Sequence, residues 1–377
     1  MNTIDKVSLY LLLIIPLIGG VNNIGDDTMY LRYIRLCLLV IVMFAVLFNF
    51  KSQAFKIPSF KKYFFYYGYL FLCFVSIFWA VQKVFAIFKL FEVIVYFILF
   101  WKITNRNNQF LFKNIFKFIE ILLTITLVTA LVNPTIGFNI IPNILPYQLR
   151  GTYFPLNPND VGFLACILSC HLSWNFINGQ KNTLLKILFF LFILVLSQSR
   201  IFLAVYMLFL FMALTNYKQK IGLFVLSPLF INEVYQLLLP FFLRDKSVED
   251  LASINGRIGF WEIGINSFLE NPWFGKGFYT GHRFLNEINM TDFNSSTFDN
   301  TYIDILNDNG IFGILLLLLT IILVTKKIYG VNKLLFSIWL ITLIRAFVGP
   351  SFQVLHPVLP VFCALVVYAF DFKKKNV

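Results

Sequence analysis

The sequence predicts an all-α polytopic membrane protein with about 12 transmembrane helices and one large extracytoplasmic loop that contains an amphipathic helix. Composition is the first ground: 59% of residues are hydrophobic, only 13% are charged and mean hydropathy is +0.78. Soluble domains carry about a quarter charged residues. Repeated apolar runs are the second, since each approaches the ~20 residues that cross ~30 Å of hydrocarbon as helix. No alternating strands of about ten residues occur, which excludes a β-barrel.

Taken in order, the runs fall near 7–23, 34–50, 63–81, 84–101, 115–133, 160–178, 183–197, 201–216, 221–240, 303–325, 334–349 and 355–371, with 183–197 and 201–216 the shortest. The first follows Lys6 but lacks a small-residue cleavage site after Gly20, so it reads as a retained helix. A net charge of +13 would point to nucleic acid in a soluble protein, but here the cations collect in short loops. Lys51, Lys56, Lys61 and Lys62 share one loop, and Lys102, Arg106, Lys113 and Lys117 another. Lys181 with Lys186, Lys218 with Lys220, Lys326 with Lys327 and the Lys373-Lys374-Lys375 tail complete the set. With twelve spans all of them lie on one side, which places both termini in the cytoplasm and leaves no role for nucleic acid. Cys37, Cys73, Cys166, Cys170 and Cys363 all sit in apolar runs without metal-ligand spacing, so neither disulfides, a metal nor a cofactor is expected. No repeat or low-complexity linker divides the chain, and residues 1–377 read as a single membrane domain.

The polar exception is Phe241–Gly313, whose loop 241–302 lies on the opposite face. Two shorter breaks share that face. In the first, Arg150-Gly151-Thr152-Tyr153-Phe154-Pro155-Leu156-Asn157-Pro158-Asn159, Asn157 is an N-cap and Pro158 suits the first helical position. The free N–H groups beside Arg150 could receive an anion; on this segment alone, a capped helix with nothing bound is the plainer reading. In the second, Ser197-Gln198-Ser199-Arg200 leaves an arginine between two apolar runs. An arginine at mid-membrane costs about 2.5–3.5 kcal/mol on insertion scales, so such a residue faces a polar cavity, a partner or the interface. A snorkelling side chain at a helix end is the alternative.

Within the long loop, Ile258, Trp261, Ile265 and Phe268 recur at helical spacing after Arg257 and predict an amphipathic helix. Pro272, Gly275 and Gly277 then turn the chain. The segment Phe298-Asp299-Asn300-Thr301-Tyr302-Ile303-Asp304 returns it to the membrane, with Thr301 and Asp304 at capping-box spacing and Asp299 or Asn300 as other caps. Asp304 and Asp308, four apart, share a face and need a partner.

Four of these segments together resemble the O-antigen polymerase and O-antigen ligase family of bacterial envelope proteins. They are Gly151 to Asn159, Ser197 to Arg200, Arg257-x-x-x-Trp261 leading to Asn271-Pro272-Trp273-Phe274-Gly275-x-Gly277, and Asn300-x-Tyr302 followed by Gly310. Ligases of the family usually carry a histidine before the asparagine of the last motif; Asp299 stands there, which tilts the reading toward a polymerase. The resemblance implies metal-independent glycosyl transfer at the outer face of the membrane, joining oligosaccharide repeat units linked to undecaprenyl diphosphate. It also implies membrane lipid, a chain-length regulator and a flippase as partners. Transfer to lipid A-core by a ligase, or movement of the lipid-linked unit by a flippase-like transporter, are the alternatives. Guanidinium groups suit a leaving diphosphate, which assigns Arg200 and Arg257, with Arg150 as a third. Asp299 is the first candidate for the base and His282 the second, supported by Asn157, Asn159, Gly275, Gly277, Asn300 and Tyr302. Tyr153, Trp261, Trp273, Phe278 and Tyr302 could stack on sugar, although interfacial anchoring is the commoner role.

Overall fold

The computed structural model describes residues 3–17, 29–48, 58–104, 108–140, 146–151, 156–214, 257–283, 297–353 and 356–371. Every expected apolar run except 221–240 holds a helix. That run lies outside the described residues, as do Tyr153, Lys51, Lys56, Arg106, Lys218, Lys220, the lysine tail and residues 241–256 and 284–296 of the long loop.

The helices are α1 (Thr3–Ile14), α2 (Met29–Phe48), α3 (Phe64–Ser76), α4 (Lys83–Thr104), α5 (Asn108–Val132), the single turn α6 (Pro134–Gly137), α7 (Pro158–Ile177), α8 (Leu184–Leu196), α9 (Arg200–Leu214), α10 (Arg257–Glu270), α11 (Thr301–Tyr329), α12 (Lys333–Phe347) and α13 (Val358–Asp371). Among the described residues, Lys83–Lys102, Leu111–Val132, Pro158–Ile177 and Thr301–Tyr329 are long and apolar enough to cross a bilayer, and the protein is an all-α membrane protein. One short hairpin interrupts the helices: β1 (Phe138–Ile140) runs antiparallel to β2 (Tyr147–Leu149), with Asn139 opposite Gln148. Strands this short leave no alternation for a sequence pattern to show.

The chain divides into two compact units, Met1–Ile115 with Arg257–Val377, and Phe116–Gly256. In the first, α11 packs along α3, α10 and α12 pack on α11, and α13 packs against α4. At one end Asp371 accepts hydrogen bonds from Lys62 Nζ (2.6 Å), the Tyr63 hydroxyl (2.7 Å) and Trp101 Nε1 (2.6 Å), tying α3, α4 and α13 together.

At the other end α11 is broken. Gly310 has φ 65° and ψ −164°, so the helix stops after Asn309 and restarts. The turn 271–283 fills the gap with backbone hydrogen bonds. The N–H groups of Lys276 and Gly277 donate to the carbonyls of Asn307 (2.7 Å) and Asp308 (3.0 Å), and those of Ile311 and Phe312 donate to the carbonyls of Pro272 (2.8 Å) and Trp273 (3.4 Å). Two of the carbonyls and two of the N–H groups freed by the break are thereby satisfied. Two glycines permit the approach. A Cβ on Gly310 would strike the Trp273 carbonyl, and one on Gly275, at φ 67°, would sit 2.5 Å from the Asp308 carbonyl carbon. Gly310→Ala is expected to lose roughly 2–4 kcal/mol of stability through left-handed strain and overlap. Thermal unfolding in detergent checks this; an unchanged midpoint refutes it.

The amphipathic helix α10 is present: of its expected face Trp261 packs against Phe298 and Ile303, and Ile258 and Phe268 are half-buried, while Ile265 departs from it. Gly264 and Ser267 are buried, whereas Ile265 is 46% exposed. Gly264 lies so close to Ile303 and Phe298 that any side chain would collide, and this approach decides which face turns inward.

In the second unit α7 packs on α8 and α9. Its start follows the sequence: Asn157 accepts from the Asp160 N–H at 2.9 Å and Pro158 opens the helix.

Candidate functional site

In the first unit, Arg257 opens α10 and its Nε lies 3.6 Å from Asp299 Oδ2. The two side chains are 18% and 43% exposed, so this ion pair is open to solvent on its carboxylate side. Asp299 has φ 52°, a left-handed conformation that a non-glycine residue adopts at a cost and that recurs at functional positions. The next residue, Asn300, is the actual cap of α11, with Oδ1 accepting from the N–H groups of Tyr302 (3.0 Å) and Ile303 (3.4 Å). The Thr301–Asp304 capping box does not form. Asn300 already reaches the free N–H groups, so the Thr301 hydroxyl donates to the Gly349 carbonyl (2.8 Å) and Asp304 Oδ1 accepts from the Phe298 N–H (3.1 Å).

The partner that Asp308 needs is His282. Its Nδ1 lies 2.9 and 3.0 Å from the two Asp308 carboxylate oxygens, and the backbone N–H groups of Tyr279 (2.9 Å) and His282 (3.2 Å) also donate to that carboxylate. Both side chains are essentially fully buried, and among the described residues His282 Nε2 has no hydrogen-bond partner. Burial opposes the charged imidazolium, but the Asp308 and Asp304 carboxylates outweigh it and raise the pKa of His282 above its ordinary value. A histidine anchored at Nδ1 with Nε2 free can take a proton from a hydroxyl brought to it.

The turn that presents His282 is held from α3 as well. Ser76 Oγ accepts from the Phe278 N–H and from Asn309 Nδ2, both at 3.0 Å, while donating to the Cys73 carbonyl at 2.9 Å. Gly277 lies against Ala80, so a side chain there would force the turn away from α3. Tyr302 donates to the Leu343 carbonyl at 3.4 Å, and Trp261 stacks edge-on against Phe347 at 5.3 Å. Phe278 is buried, while the exposed Trp273 and Phe274 gather on Phe312, as interfacial anchors do.

The second unit brings two of the sequence segments together by itself. Ser199 Oγ donates to Asn159 Oδ1 at 3.1 Å, so the break before α9 meets the start of α7. Gly162 makes room: a Cβ there would sit 2.5 Å from that of Ser199. The hairpin clamps the same break, with Gln148 Nε2 donating to the Ser197 carbonyl and Gln198 Nε2 to the Tyr147 carbonyl, both at 3.1 Å. Gln198 has φ 50°. Arg200 follows as the first residue of α9, half-buried and already engaged in a contact of its own. Arg150 Nε donates to the Ile136 carbonyl at 2.7 Å, which ties it to α6.

Sequence reasoning passed over Tyr279, Arg283, Arg35 and Lys89, which the fold assembles around the same turn. For Arg35 and Lys89 the signal is a charge inside an apolar run. Among the described residues no cluster of His, Cys, Asp and Glu could hold a metal ion.

A search of curated proteins found no match. A family model does match: residues 185–318 fit the O-antigen ligase family. That span begins in α8 and closes in α11, so it includes Arg200, the Arg257–Asp299 pair, the turn and Gly310. Over this segment the chain is similar to the O-antigen ligase family.

Proposed function

We propose that this protein is a polysaccharide polymerase, joining oligosaccharide repeat units carried on undecaprenyl diphosphate at the outer face of the bacterial cytoplasmic membrane. The observation that carries the reading is the set of groups on one glycine-dependent turn and one broken helix: the open Arg257–Asp299 pair and the buried His282–Asp308 pair. The two pairs divide the chemistry. An acceptor hydroxyl attacks the anomeric carbon of the donor sugar, the bond from that carbon to the diphosphate oxygen breaks, and its electron pair leaves with the diphosphate. Arg257 meets the growing charge with a planar fork of donors, and Asp299 orients the guanidinium until substrate arrives. The hydroxyl proton passes to His282 Nε2, while Asp308 holds the ring by Nδ1.

This order reverses the expectation that Asp299 is the first base. Asp299 is engaged with a cation and half open to water, whereas His282 has an anchored ring and a free nitrogen. In the second unit Arg200 and Arg150 are proposed as further anion-binding groups, each to be tested by its own alanine variant, with Asn157 and Asn159 as supports. A chain-length regulator and a flippase are proposed partners, and both termini are proposed to be cytoplasmic.

The description of the matched family favours a second reading, an O-antigen ligase. Deletion of the gene separates the two. Loss of a polymerase leaves surface lipopolysaccharide with a single repeat unit on its core, whereas loss of a ligase leaves bare core and accumulating lipid-linked polymer. Unchanged lipopolysaccharide and exopolysaccharide would refute both.

A further inference from the structure

Behind the turn, α2 and α4 contribute buried charge that the transfer step does not use. Arg35 is the seventh residue of α2 and Lys89 the seventh of α4, each about 9 Å along its helix at ~1.5 Å per residue. Arg35 Nε lies 2.9 Å from Glu92 Oε1, and Lys89 Nζ lies 2.9 Å from Glu92 Oε2, with all three side chains buried. From the turn, Arg283 places its guanidinium carbon 4.4 Å from the Tyr279 ring centroid, and Lys89 Nζ is 5.4 Å from the same centroid. Two cations on different elements thus meet on one buried ring.

The charges do not balance. Among the described residues, Arg35, Lys89 and Arg283 supply three positive groups around the single carboxylate of Glu92. Among the described residues Asp308 contacts none of these three cations: it is held by two backbone N–H groups and forms its ion pair with His282. Arg283 is 6% exposed, and among the described residues its buried Nε has no hydrogen-bond partner. Buried cations in excess of their carboxylates are costly unless an anion completes them. A phosphoryl group supplies two or more charged oxygens and matches both an ammonium and a guanidinium.

We propose that Arg35, Lys89 and Arg283, gathered by Glu92 and Tyr279, form an anion-binding site that takes a phosphoryl group, distinct from the guanidinium of Arg257. Glu92 holds Arg35 and Lys89 in place in the empty site, and the Tyr279 ring face holds Lys89 beside Arg283. The phosphoryl group comes either from a lipid headgroup or from free phosphate in solution.

The test uses the full chain in nanodiscs of zwitterionic lipid, titrated calorimetrically with inorganic pyrophosphate and, separately, with farnesyl diphosphate. Binding of either probe that weakens tenfold or more in Arg283→Gln and in Lys89→Gln, yet persists in Arg257→Gln, supports the site. Pyrophosphate binding alone identifies the phosphate itself, and a requirement for farnesyl diphosphate identifies a lipid headgroup. Binding that vanishes in Arg257→Gln and is unchanged in Arg283→Gln overturns the proposal while leaving the transfer reading intact. Should either charge-removing variant fail to fold, hydrogen exchange on the unmodified protein decides. A saturating probe is expected to slow the amides of Phe278 to Arg283 at least fivefold, and no change there refutes the site.

Discussion

Replacing Arg257 by alanine is expected to abolish long-chain glycan, with transfer falling on the order of 100-fold or more while the protein stays in the membrane. The reason is local. Arg257 is the first residue of α10, and its ion pair with Asp299 is long, at 3.6 Å, and open enough on the carboxylate side to contribute little to stability. A large loss of activity without loss of protein therefore reports on charge at the reacting diphosphate. Arg257→Lys is expected to recover only part of the rate, because an ammonium keeps the charge but not the fork. Asp299→Asn should cost less than Arg257→Ala, since the guanidinium still meets the substrate without its orienting partner. Polymer length on a gel and a membrane assay with lipid-linked donor read these outcomes; full-length polymer from Arg257→Ala removes this arginine from the mechanism.

The second large effect is expected at His282. Loss of a positioned general base lowers the rate by about 10²–10⁴-fold, and His282→Ala should fall in that range. The pH profile gives the more specific result. A base acts when neutral, so the rate should climb as pH rises through the raised pKa of His282 and then level off. The sign for stability is opposite. Because the folded-state pKa lies above the unfolded one, the His282–Asp308 pair stabilises fully below the ordinary imidazole value, and that contribution fades as pH rises through the raised value. Activity and stability should thus move in opposite directions across one titration. Asp308→Asn removes the principal cause of the shift, so the rising limb should move toward lower pH while the maximal rate drops. A profile that is the same in Asp308→Asn and the unaltered protein would exclude His282 as the titrating base.

Much of the scaffold was legible because its cause is local. Apolar length placed the helices, and Asn157-Pro158 placed the start of α7. The pairing of Arg257 with Asp299 was not legible, although each residue was named, since their approach depends on Gly264 bringing α10 onto Ile303 and Phe298. The break at Gly310 was hidden for another reason. Residues 303–325 are apolar enough to read as one span, and hydrogen bonds exchanged between backbone groups leave no side-chain signature except the glycines that permit them. Arg35 and Lys89 were masked by the apolar runs around them. A single charge within such a run gives no sign of whether it faces lipid, a partner or a ligand, and that information exists only after Glu92 and Tyr279 have been brought to them.

The exchange of hydrogen bonds at Gly310 has an evolutionary consequence. The position of His282 relative to α11 is written in main-chain donors and acceptors, which are common to nearly every amino acid, while the few positions that tolerate no Cβ act as fixed punctuation. Side chains around the turn can then be replaced to suit a new sugar without relearning the geometry of the reaction. Enzymes built this way should diverge quickly in residues such as Trp273 and Phe274 and retain Gly275, Gly277 and Gly310. An unchanging backbone hinge beneath a changeable surface lets one scaffold take on a different ligand without losing its geometry.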